Sequence, residues 1–127
     1  MKKTLIIILS ALVLLAAAYI VLPGFARCSS VYIEEYELSP DGSEMTIRTG
    51  VGSSVGFTRK AAVHQQEGGR LYLDFYSAFG GINGSIGAKN VFTLPIDSET
   101  ASIRIYRNAD CYEEVLVKDD SGSWQRV

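Results

Sequence analysis

The sequence predicts an all-β protein, an antiparallel β-sandwich of about seven or eight strands set behind an N-terminal transmembrane or signal helix. Three observations carry that expectation. An almost unbroken apolar run from Leu5 to Leu22 follows Lys2 and Lys3 and stops at Pro23 and Gly24. Beyond it, short polar–apolar runs recur with turn residues between them at roughly 8–12-residue spacing, the rhythm of a sandwich. No stretch after residue 27 sustains a helical period.

The strands follow in order. "VYIEEYEL" (31–38) and "EMTIRTGV" (44–51) flank "SPDGS", whose Pro40, Asp41 and Gly42 suit a hairpin. In the second run Met45, Ile47, Thr49 and Val51 alternate with mostly polar neighbours and mark one buried face. "GFTRKAAVHQQ" (56–66) reads as a strand with an irregular end. "RLYLDFYSAF" (70–79) is the clearest, with Leu71, Leu73 and Phe75 inward and Tyr72, Asp74 and Tyr76 outward. "VFTLPI" (91–96), "ASIRIYR" (101–107), "YEEVLVKD" (112–119) and "SWQRV" (123–127) complete the set, the last after a "DDSG" turn. An immunoglobulin-like outline fits the strand count. Its antibody signature is missing: Trp124 follows both cysteines, and Ala109 stands where a tyrosine corner needs Tyr.

The division expected is a membrane anchor or signal peptide over 1–27 and an extracytoplasmic domain over 28–127. The apolar run, wound as a helix, reaches roughly 27 Å, close to the hydrocarbon thickness of a bilayer. Lys2 and Lys3 ahead of it place the N-terminus in the cytoplasm and the domain outside, at the cell membrane. Its length favours an uncleaved anchor. Secretion after cleavage behind "GFA" is the alternative, and both export the domain. Lipid attachment at Cys28 is disfavoured because Arg27 occupies a place that wants a small residue.

All fourteen acids but only nine of the twelve Lys and Arg lie from Cys28 onward, a net charge of −5 for the domain. Nucleic acid as a partner is excluded on that balance, because phosphates demand clustered cations. Flat docking on anionic lipid is disfavoured for the same reason. Cys28 and Cys111 both fall in the exported part, and a Cys28–Cys111 bridge closing so long a loop would be worth about 4 kcal/mol in the chain-entropy model. Two free thiols are the alternative.

The glycine-rich "FGGINGSIGAKN" (79–90) invites a phosphate reading and fails it. Lys89 follows Ala88, Asn90 stands where Ser or Thr belongs, and the next run is strand-like. The loop reads as a connection whose glycines supply positive φ, with Asn83 beginning an "NGS" acceptor sequence. One histidine, His64, and two distant cysteines make no usual zinc set, and "DGSE" and "DDSG" lack calcium-loop ligands. No metal and no cofactor is expected. No nucleophile elbow is present, and Glu34, Glu35, Glu113 and Glu114 read as solvated faces rather than a glycosidase pair, so no catalytic residue is assigned. Binding is best served by Tyr72, Tyr76, Arg104 and Tyr106, which share an outer face if their two strands pair, with Gly80, Gly81 and Asn83 of the adjoining loop.

The run "LYLDFYSAFGGINGSIGAKNVFTLPI", then "IRIYR", then "VLVKDDSGSWQRV", resembles a group of small uncharacterised exported or membrane-anchored proteins of Firmicute bacteria, over most of residues 31–127. The resemblance implies a setting, the bacterial cell envelope, and no mechanism. The expected function is therefore a non-catalytic binding module of the envelope with a protein or glycan partner. A protective, immunity-like or inhibitory partner of an exported toxin or enzyme is the alternative. Fractionation checks the anchor: a membrane-bound product of full-length mass is expected, and a soluble product starting near Arg27 contradicts it.

Overall fold

Nothing in the apolar run breaks a helix before Pro23, and α1 spans Lys2–Val21 before Leu22–Phe25 tightens into a 3-10 turn. The computed structural model describes residues 1–52, 56–80, 85–109 and 111–127. No residue of α1 is buried, and its length and hydropathy suit a membrane span or a signal sequence.

Among the described residues nine strands follow: β1 (Arg27–Cys28), β2 (Val31–Leu38), β3 (Glu44–Val51), β4 (Thr58–Glu67), β5 (Arg70–Ser77), β6 (Val91–Pro95), β7 (Ser102–Asn108), β8 (Cys111–Lys118) and β9 (Trp124–Arg126). They form a six-stranded and a three-stranded sheet. In the smaller sheet β3 lies between β2 and β6. In the larger, β4 pairs with β5 along its whole length, so β7 and β1 must share the opposite edge. β7 takes Arg70–Leu73 and β1 takes Phe75 and Tyr76, and β8 and β9 continue outward from β7.

The expectation of a purely antiparallel sandwich is corrected here: β5 and β7 run parallel. From β5 the chain crosses to the other sheet, forms β6 there, and returns to begin β7 where β5 began. A parallel neighbour needs such a crossover, and β6 supplies it.

The core is the alternation made solid. Leu71, Leu73 and Phe75 of β5 and Ile103 and Ile105 of β7 are fully buried, as are Met45 and Ile47 of β3. Phe75 and Phe92 of β6 meet edge to face at 5.6 Å and join the sheets. Trp124 closes one margin, where its carbonyl accepts from the Tyr36 hydroxyl at 3.0 Å.

Strand directions sort the connections to two ends. The turns at 39–43, 68–69, 97–101 and 119–123 gather at one end, and α1, residues 56–57 and 85–90, and Ala109 lie at the other. Asp41 and Asp119 build their turns in the same way, each carboxylate accepting from backbone and hydroxyl groups two residues on. The Ser39 hydroxyl, helped by Ser43, holds the Asp41 carboxyl down at about 2. These are turns, as the sequence predicts.

The Cys28–Cys111 bridge is corrected too: both thiols are free. Cys28 faces Phe75 from β1, half-buried against the core, whereas exposed Cys111 pairs with Asn108 on the far edge of β7. β7 therefore stands between them. Two strand spacings are roughly 10 Å, beyond the ~7 Å that a disulfide spans between Cα atoms. Alkylation of the oxidised, unfolded protein is expected to label both residues, with Cys111 reacting first in the native state; mass spectrometry showing neither labelled would restore the bridge.

Candidate functional site

Asp74 points to the outer face of the larger sheet and yet is only 4% exposed. A carboxylate there survives only if its neighbours satisfy it. Tyr112 of β8 donates its hydroxyl to one oxygen at 2.7 Å, and His64 Nδ1 of β4 lies 3.1 Å from the other. The Arg27 guanidinium of β1 stands 3.8 Å away. One side chain thus draws groups from three other strands onto the central one.

The aromatic rings pack around that point. Tyr112 meets Tyr72 and Tyr106 edge to face at 5.2 and 5.9 Å, and the tilted His64 ring lies 5.5 Å from it. Arg27 lies over the Tyr106 ring at 4.1 Å. Beside Tyr72 in register, Arg104 forms an ion pair with Glu114 at 2.9 Å. The Tyr112 phenol is pushed up to about 12, by its burial first and then by the hydrogen bond and charge of Asp74. At neutral pH it is a donor and not a base.

Of the residues the sequence singled out, Tyr72, Arg104 and Tyr106 do come together. Tyr76 lies further along β5, opposite Arg27 and with the Lys60 ammonium 5.8 Å from its ring centre. Gly80 does not join this face; its N–H donates to the Ile20 carbonyl at the end of α1. Gly81 and Asn83 lie outside the described residues. The four glutamates do not converge with His64. Glu34 and Glu35 pair with Arg48 on the smaller sheet, Glu113 with Arg107 and Glu114 with Arg104. Among the described residues, no group of three or more His, Cys, Asp or Glu is placed to hold a metal ion.

Asp74, His64, Tyr112 and Arg27 are the members that sequence reading missed. Counting back from the Gly68–Gly69 turn puts His64 opposite Leu73, on the inner face. A bulge between Val63 and Gln65 instead pairs Val63 with Leu73, and His64 becomes the extra residue turned outward onto Asp74. The signal available was the Asp itself, an acid in the middle of the most apolar strand.

The face is flat. A groove of about 430 Å3 opens elsewhere, between Tyr32 and Gly50 of the smaller sheet and Phe57 and Lys89. Comparison with protein families, with curated proteins and with solved structures returns no match for this chain.

Replacing Asp74 by Ala strands the Tyr112 hydroxyl and is expected to cost roughly 2 kcal/mol in urea unfolding. Tyr112 is held protonated in the fold, so its contribution is full below about pH 10 and is lost as pH rises through about 12. Tyrosinate absorbance should show that one late phenol in the native protein and its downward shift in Asp74→Asn; no difference between the two would refute the assignment.

Proposed function

We propose that the protein is a membrane-tethered domain of the bacterial envelope that acts outside the membrane as a non-catalytic binding module. Its contact face is the outer face of the larger sheet, and its partner is a protein. The observation that carries this reading is the buried Asp74 carboxylate, which fixes Tyr112, His64 and Arg27 and through them the rings of Tyr72 and Tyr106.

Tyrosine suits a protein hot spot because it offers rigid apolar area with a polar tip, and arginine adds a planar hydrogen-bonding fork whose rotamer freedom must be given up on binding. Here that freedom is already spent within the fold. A half-buried aromatic patch suits a protein surface, whereas a small molecule wants a cavity. Among the described residues, His64 hydrogen-bonds the Asp74 carboxylate and no Ser, Thr or Cys, so the pair has no hydrogen-bonded nucleophile there to activate. The exposed apolar α1 supports the tether, with the N-terminus in the cytoplasm by the positive-inside rule.

The test is site-specific photocrosslinking in intact cells of the source bacterium. A photoreactive residue at Tyr106 is expected to trap a discrete partner, and one at Thr46, on the outer face of the smaller sheet, is not. The Tyr72→Ala change should lower the yield at Tyr106 about tenfold, the scale of an interface anchor. Equal trapping from both faces, or none from Tyr106, would sink the proposal. An exported toxin or enzyme among the trapped proteins would give the module a protective role.

A further inference from the structure

The junction between α1 and the sandwich is a locked joint. Gly24 is buried beneath Phe79, and a Cβ at Gly24 would overlap the Phe79 ring. Arg59 of β4 donates to the Gly24 carbonyl and lies over the Phe79 ring at 4.6 Å. Phe25 meets Phe79 edge to face at 6.0 Å. The N–H of Gly80 donates to the Ile20 carbonyl at 2.8 Å, and that of Ser77 to the Ala26 carbonyl at 3.0 Å. Gly80 is therefore level with the last turn of α1, one hydrogen bond from it. The helix enters the domain without a spacer.

That joint fixes what surrounds the helix end. Phe25 is 65% exposed, Ile86 59% and Phe57 43%, all at the end of the sandwich where α1 emerges. Lys60 and Lys89 are exposed at the same end, with Arg27 close by. The opposite end has the other sign: Asp41, Asp97, Glu99, Asp119 and Asp120 are exposed in its turns. These acids lie at the end away from Lys60 and Lys89, so the domain's negative total does not describe the charge beside α1.

We propose that the α1 end of the sandwich is a membrane-contact rim. Phe25, Phe57 and Ile86 sit in the bilayer interface, and Lys60 and Lys89 lie at the phosphates of anionic phospholipid. This rests on the tethered reading above. Two features select lipid as the occupant: the continuity of the rim with α1, and a cationic fringe matched to anionic headgroups. A bilayer that holds α1 up to Ile20 brings its headgroups to the level of Gly80 and the residues around it.

The test uses the full-length protein in vesicles, with Cys28→Ala and Cys111→Ser as background. An environment-sensitive probe is attached at Ile86→Cys or, for comparison, at Asp120→Cys. In vesicles containing phosphatidylglycerol, the Ile86 probe is expected to be shielded from an aqueous quencher and the Asp120 probe to be open to it. Inserting a flexible Gly-Ser spacer after Phe25 should release the Ile86 probe while the protein stays bound. Lys89→Gln should shift the contact equilibrium about fivefold toward release, and only with anionic lipid. If the protein floats with the vesicles and the Ile86 probe is as quenchable as the Asp120 probe, the rim is overturned and the tether stands. Failure of the protein to float overturns both.

Discussion

Strand β5 is hydrogen-bonded along both edges, by β4 on one side and by β7 and then β1 on the other, and this shared edge constrains the rest of the molecule. Because β7 pairs only as far as Leu73, room is left beside Phe75 and Tyr76, and the residues directly after the helix fill it. Arg27 is thereby delivered to Asp74 and Tyr106, and Cys28 to the core. The parallel placement of β7 also brings Tyr72 beside Arg104 and lets β8 carry Tyr112 back toward Asp74. Fold and candidate face are two results of one pairing.

The larger part of the fold was legible because alternation is a strong local signal. Met45, Ile47 and Thr49, and Leu71, Leu73 and Phe75, are buried as their spacing requires, and β2 and β3 fall on the expected residues. What was not legible depends on register. A sequence carries no mark for a parallel pairing made through a crossover, nor for the bulge that turns His64 outward. The cysteines mislead for a related reason. Both lie at one end of the larger sheet, but which strand separates them is a matter of topology. Tyr72, Arg104 and Tyr106 emerged because they sit at regular positions on regular strands. Asp74 was seen to face outward, and its burial was not foreseen because burial there comes from side chains on three other strands.

Composition was informative in one way and deceptive in another. A domain charge of −5 weighs against nucleic acid at the level of composition, because phosphates call for many cations. The same figure suggests indifference to anionic lipid only if charge is spread evenly. Strand directions divide it instead, sending Asp41, Asp97, Asp119 and Asp120 to one end and Lys60 and Lys89 to the other. Net charge is a property of a chain, and a field is a property of an arrangement.

The packing of Gly24 under Phe79 has a consequence for how such a protein meets others. A domain on a loose tether samples every height and tilt above its membrane, and a partner must halt that tumbling when it binds. Here the stiff joint has stopped most of the tumbling beforehand. On the tethered reading proposed above, association with another membrane-bound protein would become a search in a plane, between surfaces already held at a set elevation, and the orientational entropy lost on contact would be correspondingly smaller. A modest aromatic patch can then suffice where a freely diffusing domain would need a larger one.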